Sequence, residues 1–160
     1  MHFIVVLTVV NPKKTHGFTL IELLILVSIM SILLAVGLVN MPSVDLFKTH
    51  TFSSVLLSDL RLTQALSMSQ NERYRLVIGA TSYQIQDQNG VAFTHPETNA
   101  SAIIYPTGVS ISPTTTLVFD SLGKPYDGTG SALSTVLNLT VSSTDASQVV
   151  SVSPQTGFIQ

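Results

Sequence analysis

Two residues four positions apart carry the chemistry this sequence offers. Glu22 is the single charge in the run from Phe18 to Val39, 22 residues in which only Thr19, Glu22, Ser28, Ser31 and Gly37 are neither large apolar nor Ala. An acid near the centre of a membrane helix costs about 2.5 to 3.5 kcal/mol on insertion scales, so Glu22 calls for a compensating cation. Hydrolysis of the peptide bond after Gly17 would create one. Phe18 would then carry an α-amine, cationic below a pKa of about 7.7 to 8.0. Lys13, Lys14 and His16 precede that bond, and such a basic segment is held on the cytoplasmic side of an apolar helix.

Groups able to perform catalysis themselves are few and scattered. His2 and His16 fall before the cleavable bond, which leaves His50 in a helical stretch and His95 beside Pro96 in a polar stretch that reads as a surface loop. Neither has a His or Cys at metal-ligand spacing. There is no Gly-x-Ser-x-Gly elbow and no Gly-x-x-x-x-Gly-Lys phosphate loop. Asp120 and Asp127, with Gly123, Gly128 and Gly130 nearby, could be imagined as oxygen ligands for calcium, but their spacing matches no EF-hand loop, and Asp-Gly and Gly-Thr-Gly are turn formers first. The expectation is no enzyme, no cofactor and no metal.

These residues need elements to position them. An α-helix over Phe18–Val39 would span roughly 33 Å, one bilayer. A plain secretory peptide has a shorter apolar core with its small residue after the run; here Gly17 comes before it. Asn40-Met41-Pro42-Ser43 reads as a break, and helical pattern resumes from Val44 to about Gln70, with Phe52, Val55, Leu56, Leu60, Leu62 and Leu66 on one arc that Asp59 interrupts. Beyond Asn71 the period becomes two. Tyr74, Leu76 and Ile78 share a face, Tyr83-Gln-Ile-Gln86 alternates, and Asn89-Gly90 supplies a hairpin turn before Val91–Phe93. Short strands are predicted at Ala102–Tyr105, Val109–Ile111, Thr116–Phe119, Leu137–Val141 and Val149–Val152, with a turn at Pro154–Gly157 into a last strand at Phe158–Ile159.

Composition narrows the class further. Charged residues are 10% and hydrophobic ones 45%, against roughly 25% charged in an average soluble chain. Counted from Phe18, five cations stand against nine acids, a net charge of −4, and no basic cluster suggests nucleic acid. Cysteine is absent, which excludes a disulfide framework and places stability on sheet packing. Met1–Val10 is an apolar stretch too short to span a bilayer; translation starting at Val9 or Val10 would leave it out, and a cut after Gly17 would remove it with a longer leader.

The letters Lys13-Lys14-Thr15-His16-Gly17-Phe18-Thr19-Leu20-Ile21-Glu22 resemble the class III signal of type IV pilins and type II secretion pseudopilins. The resemblance implies cleavage after Gly17 by a membrane prepilin peptidase, N-methylation of Phe18 by the same enzyme, and a helix that is retained. It also implies that Glu22 neutralises the Phe18 amine of a neighbouring subunit in a filament. The stretch Phe119-Asp-Ser-Leu-Gly-Lys-Pro125, with Leu133–Val141 and Val150–Gln160, looks like the C-terminal half of pseudopilin H and of FimT-type minor pilins. His95-Pro96, Tyr105-Pro106 and Leu122-Gly-Lys-Pro-Tyr126 sit in an order similar to that of minor pilins of the mannose-sensitive haemagglutinin system.

Together these readings give an α+β, pilin-like fold: a long N-terminal helix, with Phe52, Leu56, Leu60 and Leu66 facing a mostly antiparallel sheet. The expected division is a leader over 1–17, a transmembrane half-helix over 18–41, an amphipathic periplasmic half over 42–71 and a β-rich head over 72–160. The expected function is that of a minor pilin subunit anchored once in the inner membrane and then incorporated in a fibre. Its partners would be other pilins or pseudopilins, the prepilin peptidase and an inner-membrane assembly platform. A pseudopilin H-like component of a secretion pseudopilus is the alternative within the class. From another class, a single-pass anchored periplasmic binding domain would instead show a ligand pocket with several buried polar groups.

Overall fold

The computed structural model describes residues 17–39, 43–96 and 99–160. Residues 1–16 of the expected leader, with Lys13 and Lys14, and residues 40–42 of the expected break at 40–43 lie outside them. The chain divides into two compact units, Met1–Met41 and Pro42–Gln160.

In the first unit, α1 runs Leu20–Val39. Thr19 opens it as an N-cap, its carbonyl and hydroxyl oxygens accepting the Glu22 N–H at 3.1 and 3.3 Å. The two serines inside the helix satisfy themselves, Ser28 Oγ donating to Leu24 O at 2.8 Å and Ser31 Oγ to Val27 O at 2.7 Å, so neither presents an unpaired hydroxyl to an apolar surrounding. The window Leu20–Gly37 is long and apolar enough to cross a membrane, and its apolar side chains are exposed all round. A helix apolar on every face must be covered by lipid or by other helices.

The second unit opens with α2, Val44–Gln70. Ser43 caps its start, Oγ accepting the Leu46 N–H at 3.3 Å, and Asn71 closes it in the left-handed conformation at φ 54°. Among the described residues eight antiparallel strands follow: β1 Tyr74–Ile78, β2 Ser82–Gln86, β3 Ile103–Ile104, β4 Ser110–Ser112, β5 Thr116–Phe119, β6 Pro125–Asp127, β7 Leu137–Ser142 and β8 Ser147–Val152. They form two sheets where one was expected, ordered β3-β2-β1-β5-β6 and β4-β7-β8. β1 is central to the larger sheet, Leu76 lying between Ile85 and Leu117, and β7 is central to the smaller, Leu139 opposite Val150. Alternation puts Tyr74, Leu76, Ile78, Tyr83, Ile85, Leu117, Phe119, Leu139, Val141, Val150 and Val152 in the core with Phe52, Leu56 and Leu60 of α2.

The face that α2 buries differs from the apolar arc read in sequence. Phe52, Leu56 and Leu60 are buried, but so are Thr49, Ser53, Asp59, Thr63 and Ser67, whereas Val55 is exposed and Leu62 and Leu66 are only partly covered. Small polar residues can line the inner face because each hydroxyl is paired. Thr63 Oγ1 donates to Asp59 O at 2.6 Å, and Ser67 Oγ accepts the Tyr74 N–H at 3.1 Å, tying α2 to β1. Two strand expectations also shift. Val91–Phe93 makes only an isolated Gln86–Ala92 bridge, and Phe158–Ile159 likewise contributes a Val152–Ile159 bridge. β6, where sequence reading found only turn formers, pairs with β5 through Val118–Tyr126.

Candidate processing and assembly site

Gly17, Phe18 and Thr19 precede the helix and are exposed. The Gly17–Phe18 bond thus lies in non-helical chain, and a Cβ at Gly17 would meet nothing within 4 Å among the described residues beyond its chain neighbours. Phe18 is 72% exposed. Glu22 sits in the first turn of α1, where an acid is favoured by the unsatisfied N–H groups of the helix start. Within the described residues no cation lies within ion-pair distance of its carboxylate. A helix-end glutamate can also reach the polar interface by itself, so the geometry of one chain is compatible with either use.

A second polar constellation lies inside the Pro42–Gln160 unit, and sequence reading missed it. Asp59 projects from α2 into the core with 2% exposure. Tyr83 Oη of β2 donates to its Oδ2 at 2.6 Å, and His95 Nε2 lies 2.8 Å from Oδ1. His95 is therefore no surface loop residue: its side chain is only 12% exposed, because a buried carboxylate needs donors on both oxygens and the strap after β2 carries one to it. Burial first, and then the Asp59 carboxylate, push the Tyr83 phenol far above its ordinary value of 10.0. Tyr105, whose Oη donates to Gly79 O at 2.8 Å, is pushed up to about 12 by burial. Phe52 stacks edge-on against Tyr105 at 5.5 Å and lies 6.1 Å from Tyr83, completing an aromatic wall. The only signal in sequence was Asp59 itself, an acid inside an apolar arc.

The cavity bounded by Asp59, Tyr83, Phe93 and His95 is about 10 Å³, roughly room for one water. Among the described residues no buried side-chain polar atom lacks a partner. The polar groups thus satisfy one another and leave none aimed at an open ligand pocket, and the constellation reads as a latch between α2 and the sheet.

The two aspartates weighed as calcium ligands do something else. Asp87, Asp120 and Asp127 each build the same five-residue turn. Their Oδ1 atoms accept backbone N–H groups two and four residues on: Asn89 and Val91 at 2.9 and 2.8 Å, Leu122 and Lys124 both at 2.9 Å, Thr129 and Ser131 both at 2.9 Å. In each the fourth residue is a glycine at positive φ, +83° for Gly90, +78° for Gly123 and +89° for Gly130. At Asp127 the Thr129 hydroxyl and then the Ser131 N–H hold the carboxyl below its ordinary value of 3.8. No group of three or more His, Cys, Asp or Glu side chains among the described residues is arranged to hold a metal ion. The repeated Asp-x-x-Gly-x spacing was visible in the sequence and would have identified all three turns.

Comparison with known proteins adds to this geometry. No curated protein sequence matches the chain. Among solved structures, the type IV minor pilin FimU of Pseudomonas aeruginosa is similar at 17% identity, with 69% of this chain and 90% of that one covered and a TM-score of 0.49. Residues 12–38, which span the basic pair, the Gly17–Phe18 bond, Glu22 and most of α1, match the model of the prokaryotic N-terminal methylation motif. At its amino end, therefore, this chain carries that motif on a helix long and apolar enough to cross a membrane.

Proposed function

We propose that this chain is a structural minor subunit of a type IV pilus. The observation that supports the reading is the match of residues 12–38 to the methylation motif, a span that includes Gly17, Phe18 and Glu22 and runs into an apolar helix whose side chains are exposed among the described residues. In this reading residues 1–17 are the leader, 18–41 the membrane half of the helix, 42–71 its periplasmic half and 72–160 the head. Lys13 and Lys14 keep the leader in the cytoplasm, and a prepilin peptidase cuts after Gly17 and methylates Phe18. The protein waits in the inner membrane with its head in the periplasm. The assembly platform then moves it into a fibre, where the new terminal cation of one subunit meets Glu22 of its neighbour. A buried charge pair is a poor source of stability, and its attested use is register, which is what subunit stacking requires. The minor-subunit assignment draws on the resemblance of Phe119–Pro125, Leu133–Val141 and Val150–Gln160 to FimT-type minor pilins and pseudopilin H, and the likeness to the mannose-sensitive haemagglutinin system belongs to the same proposal.

N-terminal sequencing of protein from sheared surface fibres tests the reading: a chain beginning at methylated Phe18 is expected, and one beginning upstream refutes it. Glu22→Ala should be processed normally yet be missing from fibres, and its ordinary incorporation would remove the register role. Gly17→Val should leave uncut precursor, seen as slower electrophoretic migration than the wild-type product.

A further inference from the structure

The two sheets have four outer edges, and three are protected. β3 is two residues long. β6 begins at Pro125 and is covered by the Leu133 N–H bond to Pro125 O at 3.2 Å and by the Tyr126–Ala132 bridge. β4 runs directly into Pro113, which has no N–H to offer.

β8 is different. The Ser151 N–H bonds Gln160 O at 2.8 Å and Gln160 N–H returns to Ser151 O at 3.1 Å, so the odd-numbered residues of this strand point their backbone groups away from β7. Ser147 and Val149 are the other two, both exposed, and among the described residues nothing bonds their outer N–H and C=O groups. Natural edges are defended by charges, prolines or bulges. Ser147–Val152 has no charged residue or proline, and its register against β7 is unbroken.

The chemistry of such an edge names its occupant. Donors and acceptors alternating at strand spacing, on a segment without charge, are matched by the main chain of an extended, uncharged polypeptide rather than by a lipid, an ion or a nucleic acid. A second copy of β8 fits poorly. Self-pairing of Ser147 with Val149 would drive the Ser143–Ala146 turn of each copy into the place where Ile159 and Gln160 of the other already lie. We propose that the outer edge of β8, at Ser147 and Val149, accepts an extended uncharged segment of a different filament subunit, added antiparallel in line with Ile159–Gln160. This inference rests on the filament reading above. Four main-chain bonds are few for association in free solution, but they suffice to select orientation between neighbours already held at high local concentration.

Amide hydrogen exchange on the full-length mature protein, compared between detergent micelles and sheared fibres, tests this. Ser147 and Val149 amides should exchange fast in micelles and be protected in fibres. Val149→Pro removes the outward donor while leaving the β7 partners of Gln148 and Val150 in place, and should lower incorporation by about ten-fold or more, whereas Val149→Thr should incorporate as the wild type does. Equal exchange of the two amides in micelles and fibres overturns the proposal, as does normal incorporation of the proline variant when it is folded. If that variant does not fold, the wild-type exchange comparison decides alone. Protection arising in concentrated micelles of this chain by itself would mean that copies pair with each other and would overturn the choice of a different subunit. Absence of the wild-type chain from fibres is a separate outcome: it refutes the filament reading, and this inference falls with it.

Discussion

Replacing Tyr83 by Phe removes one oxygen from the latch inside the Pro42–Gln160 unit and leaves the aromatic wall in place. The Asp59 carboxylate accepts two bonds, 2.6 Å from Tyr83 and 2.8 Å from His95, at a residue 2% exposed. A hydrogen bond to a charged group contributes about 1.5 to 3 kcal/mol, and the adjoining cavity of about 10 Å³ offers at most one water in place of the lost donor. Tyr83→Phe should therefore destabilise by about 1.5 to 3 kcal/mol. Asp59→Ala removes the shared acceptor and strands both donors, so it should cost about 3 to 5 kcal/mol, a large part of the roughly 5 to 15 kcal/mol that holds a domain together. The double variant should fall short of the summed single effects by about 1 kcal/mol or more, because the two side chains act through one bond. Guanidinium unfolding of the full chain in micelles, followed by tyrosine fluorescence or circular dichroism with the slope checked for constancy, measures all three. A Tyr83→Phe loss below about 0.5 kcal/mol, or strict additivity, would mean that Asp59 is satisfied in some other way and that the latch is misread.

Other consequences can be checked with the same preparation. Tyr83 and Tyr105 have folded pKa values raised above their unfolded value of 10.0, so their contribution is intact below pH 10 and declines as pH rises. The slope is about 1.4 kcal/mol per pH unit for each tyrosine, with Tyr105 ceasing to contribute to it near its folded value of about 12; stability unchanged between pH 10 and 11.5 would contradict this. The Asp127 carboxyl should titrate below 3.8 by NMR, so what it contributes is present above that value and disappears as pH falls through the folded pKa; Thr129→Val should move the titration back up. Gly157→Ala should be more damaging than Gly130→Ala. Both glycines have positive φ, a conformation that costs Ala about 1 to 2 kcal/mol, but a Cβ at 157 would overlap the Gly123 carbonyl oxygen and the Gln64 amide, whereas that at 130 meets open space. Equal thermal shifts for the two would refute the close packing of the 120–124 and 153–158 turns.

How legible each feature was depended on how far apart in the chain its causes lie. The apolar helix with Thr19 at its head, the alternation of Tyr74, Leu76 and Ile78, and the motif spanning Gly17 to Glu22 are properties of neighbouring residues, and periodicity reads them directly. The three aspartate turns were equally local but were passed over, since a lone Asp-Gly or Asn-Gly draws attention before the shared Asp-x-x-Gly-x spacing does. His95 and Asp59 are 36 residues apart, and nothing near His95-Pro96 says that a carboxylate waits on the helix opposite. The split into two sheets was hidden for the same reason, since period-two patterning tells which face of a strand is buried but not which strand lies beside it.

What the amino-acid order settles by itself is the amino end: a match to the N-terminal methylation motif, an acid and an apolar helix that cannot be left in water, all specified by residues in sequence contact. What only the tertiary structure decides is which polar side chains of α2 turn inward and what receives them. The helix could hide Thr49, Asp59, Thr63 and Ser67 because hydroxyls, a phenol and an imidazole from distant segments converge on them. A buried polar group is tolerated only when its partners arrive, and their arrival is a fact of three dimensions.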